Sequence, residues 1–523
     1  MITAPVLAAP IRFLADDLLE GRGPGTRADA LTRLYVATTM QMLGLEPGAA
    51  DGSWEQSFEL VGVTSHAPAR WRFAGARGDV ELRDERDFVA VSGAARPSVE
   101  LAPSELVFVG YGIEAPEFDW DDFKGTDVRG KVLVFLNDDP DWDPALFAGK
   151  RRLYYGRWTY KYENAARHDA AAAIVIHTDP SAGYPWQTVV RSWTGENSRL
   201  AEDDEPSVAV QAWVTEDAAK RIATLGGRSL DDLVSAARRR DFRPVPLGVT
   251  TALRLHSDLR TYRSANVAGL LRGADPTRRD ELVVLTAHHD HLGVKSNASG
   301  ALEVYNGAMD NASGVAQLLA LARAFTSRPS PPARSILFLA VAAEEQGLLG
   351  SKHYARHPTV PPGKLAANLN FDGANLWGRT TDVRAVGWGK SSLDDAAARA
   401  AARQGRTYED EEFPEKGSFY RSDQFSFAKI GVPAIEVRGG VEYVGRPAGW
   451  GREQVEGWIA RHYHQPSDDY DPSWDLSGMV EDTRLAFEVA RAVADAPDMP
   501  RWRPGDEFEA TRLRALADAA ASR

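Results

Sequence analysis

Apolar runs of strand length alternate with helix-like segments from about Arg254 to Ala496. The segment from Gly314 to Phe325 places apolar residues on one face at helical spacing, and it lies between two of the runs. The runs are LVVLTA (282–287), SILFLAVA (335–342), AANLNF (366–371) and PAIEV (433–437). Because strands that alternate with helices pair in parallel, this region predicts an α/β fold, a mostly parallel twisted sheet with helices on both faces.

The residues ahead of this region show two other patterns. Residues from about 10 to 50 recur at helical spacing, and β-type runs follow them. From about Leu106 to Arg243, short apolar strands, turns and one helix-like segment form a self-contained pattern. We therefore predict an N-terminal segment at 1–100 that packs on the α/β domain, a smaller β-rich domain inserted at 101–250, and the α/β domain itself at 251–523.

Composition limits the classes of function. The 523 residues carry a formal net charge of −13, which argues against a nucleic-acid partner, because such proteins need a basic surface. The chain has no cysteine, so any metal must bind to His, Asp or Glu side chains, which suits catalytic zinc. No stretch approaches the ~20 apolar residues of a transmembrane helix. The N-terminal sequence MITAPVLAAPIRF is not a complete signal peptide.

Metal-type side chains follow three of the predicted strands. His288-His289-Asp290-His291 comes after LVVLTA, Glu344-Glu345 after SILFLAVAA, and Asp372 after AANLNF. Open α/β sheets bind ligands beyond the carboxyl ends of their strands. Since the same kind of residue recurs at three strand ends, we expect these side chains to meet at one edge of the sheet.

A further carboxylate and a further imidazole complete the pattern. Asp310 stands just before a helix start, where Asn311 or Ser313 can cap the helix, and His464 lies in a loop near the C-terminus. Several carboxylates that converge without cations raise one another's pKa values. Two divalent cations would remove that repulsion, and a two-metal site needs a bridging carboxylate such as Asp310.

Five segments together resemble a known enzyme family. They are AHHDHLG, MDNASGVA, AAEEQGLLGS, NFDG and YHQPSDDYD. These segments are similar to the signatures of the co-catalytic zinc aminopeptidase family, which includes bacterial leucyl aminopeptidases, glutamate carboxypeptidase II and the transferrin receptor. The segments VGYGI, DVRGKV and ENAARHDAAAAIVI in the insert resemble the protease-associated domain of many members.

The resemblance implies the ligands of two Zn²⁺ ions. His288 and Asp372 would bind the first ion, Glu345 and His464 the second, and Asp310 would bridge both. The expected function is a zinc-dependent exopeptidase that releases N-terminal residues from a peptide substrate. Because members of the resembled family are usually exported, the resemblance further implies a periplasmic or secreted location.

The resemblance also implies three catalytic side chains. Glu344 would be the general base, which takes a proton from water and returns it to the leaving amine. Asp290 would orient the imidazole of His288. Tyr463 would donate a hydrogen bond to the tetrahedral oxyanion.

Several readings stay open at this level. We predict neither His289 nor His291 as a ligand and expect one of them to neighbour the site, while His462 rivals His464. A carboxypeptidase or dipeptidase, a glutaminyl cyclase-like acyltransferase and a non-catalytic receptor-like protein are the alternatives. An arginine placed for a C-terminal carboxylate would favour a carboxypeptidase; the candidates are Arg438, Arg446 and Arg452. Residue preference and oligomeric state have no signature in this sequence.

Overall fold

The computed structural model describes residues 1–143, 146–203, 205–297 and 299–521. Its helices are α1 (Ala4–Leu14), α2 (Arg27–Met42), α3 (Trp158–Arg167), α4 (Asp179–Ala182), α5 (Trp186–Trp193), α6 (Glu216–Leu225), α7 (Leu230–Ala237), α8 (Ser313–Thr326), α9 (Leu349–Arg356), α10 (Leu393–Arg403), α11 (Gln424–Lys429), α12 (Trp450–Arg461), α13 (Ser477–Asp495) and α14 (Glu509–Ala521).

Its strands are β1 (Glu46–Pro47), β2 (Glu55–His66), β3 (Arg70–Gly75), β4 (Gly78–Arg83), β5 (Phe88–Ser92), β6 (Ser98–Phe108), β7 (Glu114–Ala115), β8 (Trp120–Asp121), β9 (Val132–Leu136), β10 (Ala172–His177), β11 (Glu196–Leu200), β12 (Val210–Thr215), β13 (Val245–Leu271), β14 (Leu282–His288), β15 (Gly293–Ser296), β16 (Leu302–Tyr305), β17 (Ser335–Val341), β18 (Leu365–Asn370), β19 (Asp382–Val386), β20 (Thr407–Asp410) and β21 (Ala434–Gly439).

The chain divides into two units. The first unit comprises Met1–Glu59, Arg263–Glu412 and Arg421–Arg523, and the second comprises Leu60–Tyr262 with Phe413–Tyr420. The second unit begins ahead of the predicted boundary at residue 101, because β3, β4 and β5 belong to its sheet: β3 pairs with β13, β4 with β3, and β5 with β12. The pairings of β3 with β13 and of β5 with β12 join residues far apart in sequence, and local sequence patterns do not indicate such pairings.

The sheet of the first unit is parallel at its centre. Strand β14 pairs in parallel with β17 and β18, and β18 pairs in parallel with β21. Away from the centre, β13 joins β17 and β19 joins β21 in antiparallel orientation, and β20 pairs in parallel with β19. Strands β14, β17 and β18 are buried along their whole length, as expected for strands covered on both faces.

Helices cover both faces of this sheet. Val283 and Leu285 point into a core shared with α1, α8, α10 and α13. The neighbouring Val284 points to the other face, where it packs with Tyr354 of α9 and Phe427 of α11. The mostly parallel α/β fold predicted for this region is therefore confirmed.

The second unit has its own mixed sheet. Strands β6, β9, β10 and β12 pair in parallel, and β5 closes one side in antiparallel orientation. An aromatic core with Trp213, Phe135 and Tyr162 covers one face of this sheet. Across the described part of the chain, no helix is both long enough and apolar enough to cross a membrane.

Candidate metal centre

The first group of candidate ligands forms at the carboxyl ends of β14 and β18. His288 is the last residue of β14, and Asp372 follows β18 by two residues. The Nε2 atom of His288 lies 3.2 Å from Oδ1 of Asp372 and 3.2 Å from Oδ1 of Asp310. These three side chains converge, and all three are largely buried.

The second group shares Asp310 with the first. The Nε2 atom of His464 lies 3.3 Å from Oδ2 of Asp310 and 3.0 Å from Oε2 of Glu345. Glu345 follows the end of β17, so the parallel strands deliver it to the same sheet edge as His288. The two oxygens of Asp310 thus face two different groups, as a bridging carboxylate requires.

The spacing of these atoms fits zinc. Two ligand atoms about 2.0 to 2.1 Å from a tetrahedral Zn²⁺ ion lie about 3.3 Å apart. The four separations given above span 3.0 to 3.3 Å. Two imidazoles and three carboxylates, with no thiolate, are a donor set that suits this ion. The residues therefore fit two adjacent divalent cations.

The pKa shifts of the side chains at this site also agree with a cation-binding role. Although burial lowers it, the carboxylates of Glu344, Asp310 and Asp372 hold the pKa of His288 well above its usual value. Burial raises the pKa of Glu344 well above its usual value, and Asp372 and Glu345 add to that effect. Burial acts against ionisation of Glu345 as well, yet His464 holds its pKa at about 2. The clustered carboxylates thus favour the positive form of both imidazoles, and bound cations would offset the same negative charge.

Asp290 contacts the ring of His288 through its main-chain oxygen and the two glutamates through its carboxylate. Its main-chain oxygen lies 3.2 Å from Nδ1 of His288, whereas its carboxylate lies 3.8 Å from that atom. The carboxylate instead accepts the backbone N–H groups of Glu344, at 3.1 Å, and Glu345, at 3.4 Å. Asp290 therefore fixes the backbone of both glutamates as well as the ring of His288.

Tyr463 stacks on His464. The two rings lie 3.9 Å apart at an angle of 24°. Burial raises the pKa of Tyr463, so its hydroxyl stays protonated and able to donate. The ring therefore packs against a predicted ligand, and the oxyanion role of its hydroxyl stays a prediction.

Of the three other histidines near the site, His462 and His289 contact residues outside it, whereas His291 converges with Asp310 and Glu345 closely enough to hold a metal ion. His462 turns its Nδ1 to Ser467, 3.0 Å from the main-chain oxygen. His289 points to Ala265, with Nε2 3.2 Å from its carbonyl oxygen, and burial lowers its pKa to about 4. His291, which was not predicted as a ligand, lies beside Glu345 with Nδ1 2.6 Å from Oε1.

Two polar side chains hold the Asp310 loop: Asp468, which the sequence left without a role, and Asn311, one of the two residues predicted to cap the helix. Asp468 accepts the backbone N–H groups of Met309, at 2.9 Å, and Asp310, at 3.0 Å. Asn311 accepts the N–H of Gly314 at 2.9 Å and so caps the start of α8. The loop that presents the shared carboxylate is thus held from both sides.

Arg22, like Asp468, is a side chain that the sequence left without a role. Its guanidinium is fully buried and donates to the carbonyl oxygens of His289 at 2.9 Å and Gly307 at 3.0 Å, and also to those of Leu14 and Asn306. Burial lowers its pKa to about 10, although Asp290 and other nearby carboxylates favour its charge. Arg22 therefore stays charged at neutral pH and joins the two loops that carry Asp290 and Asp310.

A tight turn brings Arg22 to this position. Gly21 has φ +64°, and a Cβ atom there would lie 2.4 Å from the carbonyl oxygen of Tyr305. Only glycine accepts both that backbone conformation and that contact at low cost. The segment LEGRG in the N-terminal region thus serves the metal centre, which composition and periodicity do not reveal.

The segment Ser422-Asp423-Gln424 supports the end of β18. The Nδ2 group of Asn370 donates to Oγ of Ser422 at 2.8 Å and to Oε1 of Gln424 at 2.7 Å. Asn370 is the last residue of β18, two positions before Asp372. This segment shapes the backbone that presents a candidate ligand.

Two of the three candidate arginines for a substrate carboxylate form ion pairs within the chain, and the third, Arg446, lies over the ring of Trp450 with its Cζ 4.7 Å from the ring centroid. Arg438 pairs with Glu436 through two contacts, one of them Nη2 to Oε2 at 2.8 Å. Arg452 pairs with Glu412 and Glu456. These ion pairs give no specific support to the carboxypeptidase alternative.

Residues 266–488 match the family model of peptidase family M28. The matched range contains both candidate groups, and the predicted resemblance to a family of zinc peptidases is confirmed for this part of the chain. The match does not reach the inserted region, whose identification as a protease-associated domain stays a prediction.

Known proteins with similarity to the chain agree with this family. Aminopeptidase YwaD of Bacillus subtilis (strain 168) is 28% identical over 212 residues, which are 39% of this chain and 39% of that protein. A probable zinc metalloprotease of Pyricularia oryzae is 32% identical over 175 residues, 31% of this chain and 29% of that protein. The chain thus covers well under half of the length of these two relatives.

A solved structure resembles nearly the whole chain. The aminopeptidase from Aneurinibacillus sp. strain AM-1 has a TM-score of 0.51 and 20% sequence identity, with 95% of each chain covered. At this identity the likeness concerns the fold alone.

Proposed function

We propose that this chain is a zinc-dependent exopeptidase of the aminopeptidase type. The observation that carries the proposal is the position of Asp310, whose two carboxylate oxygens face one histidine each, His288 at 3.2 Å and His464 at 3.3 Å. His288 and Asp372 would hold one ion, Glu345 and His464 the other, and Asp310 both. Bound zinc supplies Lewis-acid catalysis and lowers the pKa of water.

The chain's own residues perform the proton transfers. Glu344 is adjacent to a ligand and its backbone N–H donates to Asp290, so its position is fixed. Burial and neighbouring carboxylates raise the pKa of Glu344, and a higher pKa makes its carboxylate a stronger acceptor for a proton from the attacking water, which Glu344 would then release to the leaving amine. Tyr463, with its hydroxyl protonated, is the donor that we assign to the developing oxyanion.

Metal content and hydrolysis test the proposal together. The wild-type chain should bind two zinc equivalents and cleave unblocked aminoacyl nitroanilides, while it spares their N-acetylated forms. Glu344→Gln should keep both ions and lose at least roughly 10²-fold in kcat, the low end for loss of general acid–base catalysis. Glu453→Gln, at an exposed glutamate of α12, is the matched control and should leave both measurements unchanged.

Three results would contradict the proposal. A folded chain that binds no zinc has no metal centre. Cleavage of N-blocked peptides with a free carboxylate, but not of unblocked nitroanilides, would indicate a carboxypeptidase. Full activity in Glu344→Gln would exclude Glu344 as the base.

A further inference from the structure

His291 lies beside the second group of candidate ligands without being one of its predicted members. Its side chain is fully buried, and Nδ1 lies 2.6 Å from Oε1 of Glu345. The other oxygen of Glu345, Oε2, lies 3.0 Å from Nε2 of His464. The two oxygens of one carboxylate therefore face two different imidazoles.

The separations distinguish the two imidazoles. Ligands of one tetrahedral zinc ion lie about 3.3 Å apart, which is near the 3.0 Å between Glu345 and His464. The 2.6 Å between Nδ1 of His291 and Oε1 is much shorter and is close to the ~2.7–2.9 Å of a charge-assisted contact between a nitrogen donor and a carboxylate. Both atoms are buried, and within the described residues neither makes a well-directed hydrogen bond, to each other or to any other group, so no other partner competes with this close ion pair.

Packing keeps the His291 ring at this position. A Cβ atom on Gly307, which has φ +57°, would lie 2.5 Å from Cγ of His291, so glycine is needed there for the ring to fit. On another side the ring meets that of His464 edge-on, with centroids 5.8 Å apart. The ring is thus enclosed by the loop before Asp310 and by a predicted ligand.

We propose that His291 is a positioning residue of the second zinc site, where its Nδ1–H holds Oε1 of Glu345 so that Oε2 faces the ion. The inference rests on the proposed function, because it assigns Oε2 to a zinc ligand. The inference assigns a role to the last histidine of AHHDHLG, because the ring of His291 would determine the orientation of the Glu345 carboxylate. Residues that orient metal ligands typically contribute 10- to 100-fold to metal affinity or activity.

Stepwise zinc titration of the purified chain tests this role. His291→Ala and His291→Leu should bind the first zinc equivalent as the wild type does and the second about 10- to 100-fold more weakly. His291→Asn should recover much of the loss, because its amide N–H replaces Nδ1–H at a similar distance from the backbone. His289→Asn is the matched control; its ring contacts Ala265 and not Glu345, so the second affinity should stay unchanged.

A second readout separates positioning from ligation. With cobalt in place of zinc, the visible absorption spectrum of the second ion reports its ligands. A positioning role predicts that His291→Asn keeps the wild-type spectrum at saturating cobalt. A changed spectrum with permanent loss of one equivalent in every His291 variant would show that His291 is itself a ligand, and it would overturn the inference.

The remaining outcomes are also decisive. Unchanged affinity for the second equivalent in folded His291→Ala and His291→Leu would overturn this inference and leave the proposed function intact. Equal weakening in His289→Asn would overturn it too, because the effect would then come from general loss of packing. Absence of zinc binding by the wild-type chain would overturn the inference and the proposed function together.

Discussion

Replacement of Arg22 by methionine removes a buried cation that joins two loops of the candidate metal centre. The guanidinium donates to four main-chain carbonyl oxygens, those of Leu14, His289, Asn306 and Gly307. A buried acceptor left without a donor costs about 1 kcal/mol or more. Four such acceptors give a loss of about 4 kcal/mol in the free energy of unfolding, a large part of the ~5–15 kcal/mol of a typical protein.

The effect on metal binding distinguishes two physical roles of Arg22. If charge alone mattered, loss of a cation beside Asp290 and Asp310 would strengthen zinc binding, because repulsion of the ions would fall. If Arg22 acts by holding the loops, zinc binding would weaken despite the lost repulsion. The four contacts to main-chain carbonyls favour the second role, so we expect weaker zinc binding and a lower melting temperature in Arg22→Met.

Arg334 provides a matched control. It is also fully buried, and it donates to the main-chain oxygens of Val493 at 2.9 Å and Ala496, and to Glu281 at 2.8 Å. Arg334 precedes β17, so it lies at the edge of the sheet opposite the candidate ligands. Arg334→Met should lower the melting temperature of the first unit and leave zinc affinity unchanged.

The assay combines thermal melting with zinc titration for both variants and for Arg22→Lys. A loss of about 4 kcal/mol corresponds to a fall on the order of 8 °C in the melting temperature of a unit of this size. Arg22→Lys keeps the charge but offers three donors instead of five, so it should fall between the wild type and Arg22→Met. The reasoning is refuted if Arg22→Met melts within 1 or 2 °C of the wild type, or binds zinc more tightly.

Three further predictions concern other residues. Gly307→Ala should lose zinc binding, because the added Cβ would lie 2.2 Å from the carbonyl oxygen of Asp310. Gly389→Ala is the control and should keep zinc binding, because Gly389 also has a positive φ, +79°, but has open space around its Cβ position. Equal zinc content in the two variants would contradict the steric argument. Tyr463→Phe should lower kcat roughly 10²-fold at unchanged zinc content, by loss of an oxyanion donor. Burial lowers the pKa of His177, so below about pH 6.5 the unfolded chain binds more protons at this residue than the folded chain does. The melting temperature should therefore rise with pH up to that value. The variant His177→Gln should show a smaller rise.

The sequence could predict three of the five candidate ligands because each of the three follows a recognisable strand. The apolar runs that became β14, β17 and β18 are long, and parallel pairing brings their carboxyl ends together. Once the runs are assigned as strands, His288, Glu345 and Asp372 must meet at one edge. Local patterns were sufficient because the geometry of a parallel sheet supplies the remaining information.

The supporting residues could not be predicted because their partners are main-chain groups. Arg22 donates only to carbonyl oxygens, and Asp468 accepts N–H groups of Met309 and Asp310. Every residue carries a main-chain oxygen, so no pattern in the sequence indicates which ones will need a donor. The same holds for β3, β4 and β5, whose assignment to the second unit depends on distant pairing partners.

The histidines of AHHDHLG show where the strand pattern stops being informative. His288 and His289 lie next to each other at the end of β14, so their side chains point to opposite faces, one to Asp372 and the other to Ala265. His291 lies beyond the strand, where alternation no longer fixes direction, and the turn places it against Glu345. The loop before Asp310 selects this arrangement, since the ring of His291 fits only against a glycine at position 307. A role for His291 therefore depends on a contact between two loops. The zinc titration of His291 variants tests that contact through the affinity for the second zinc equivalent.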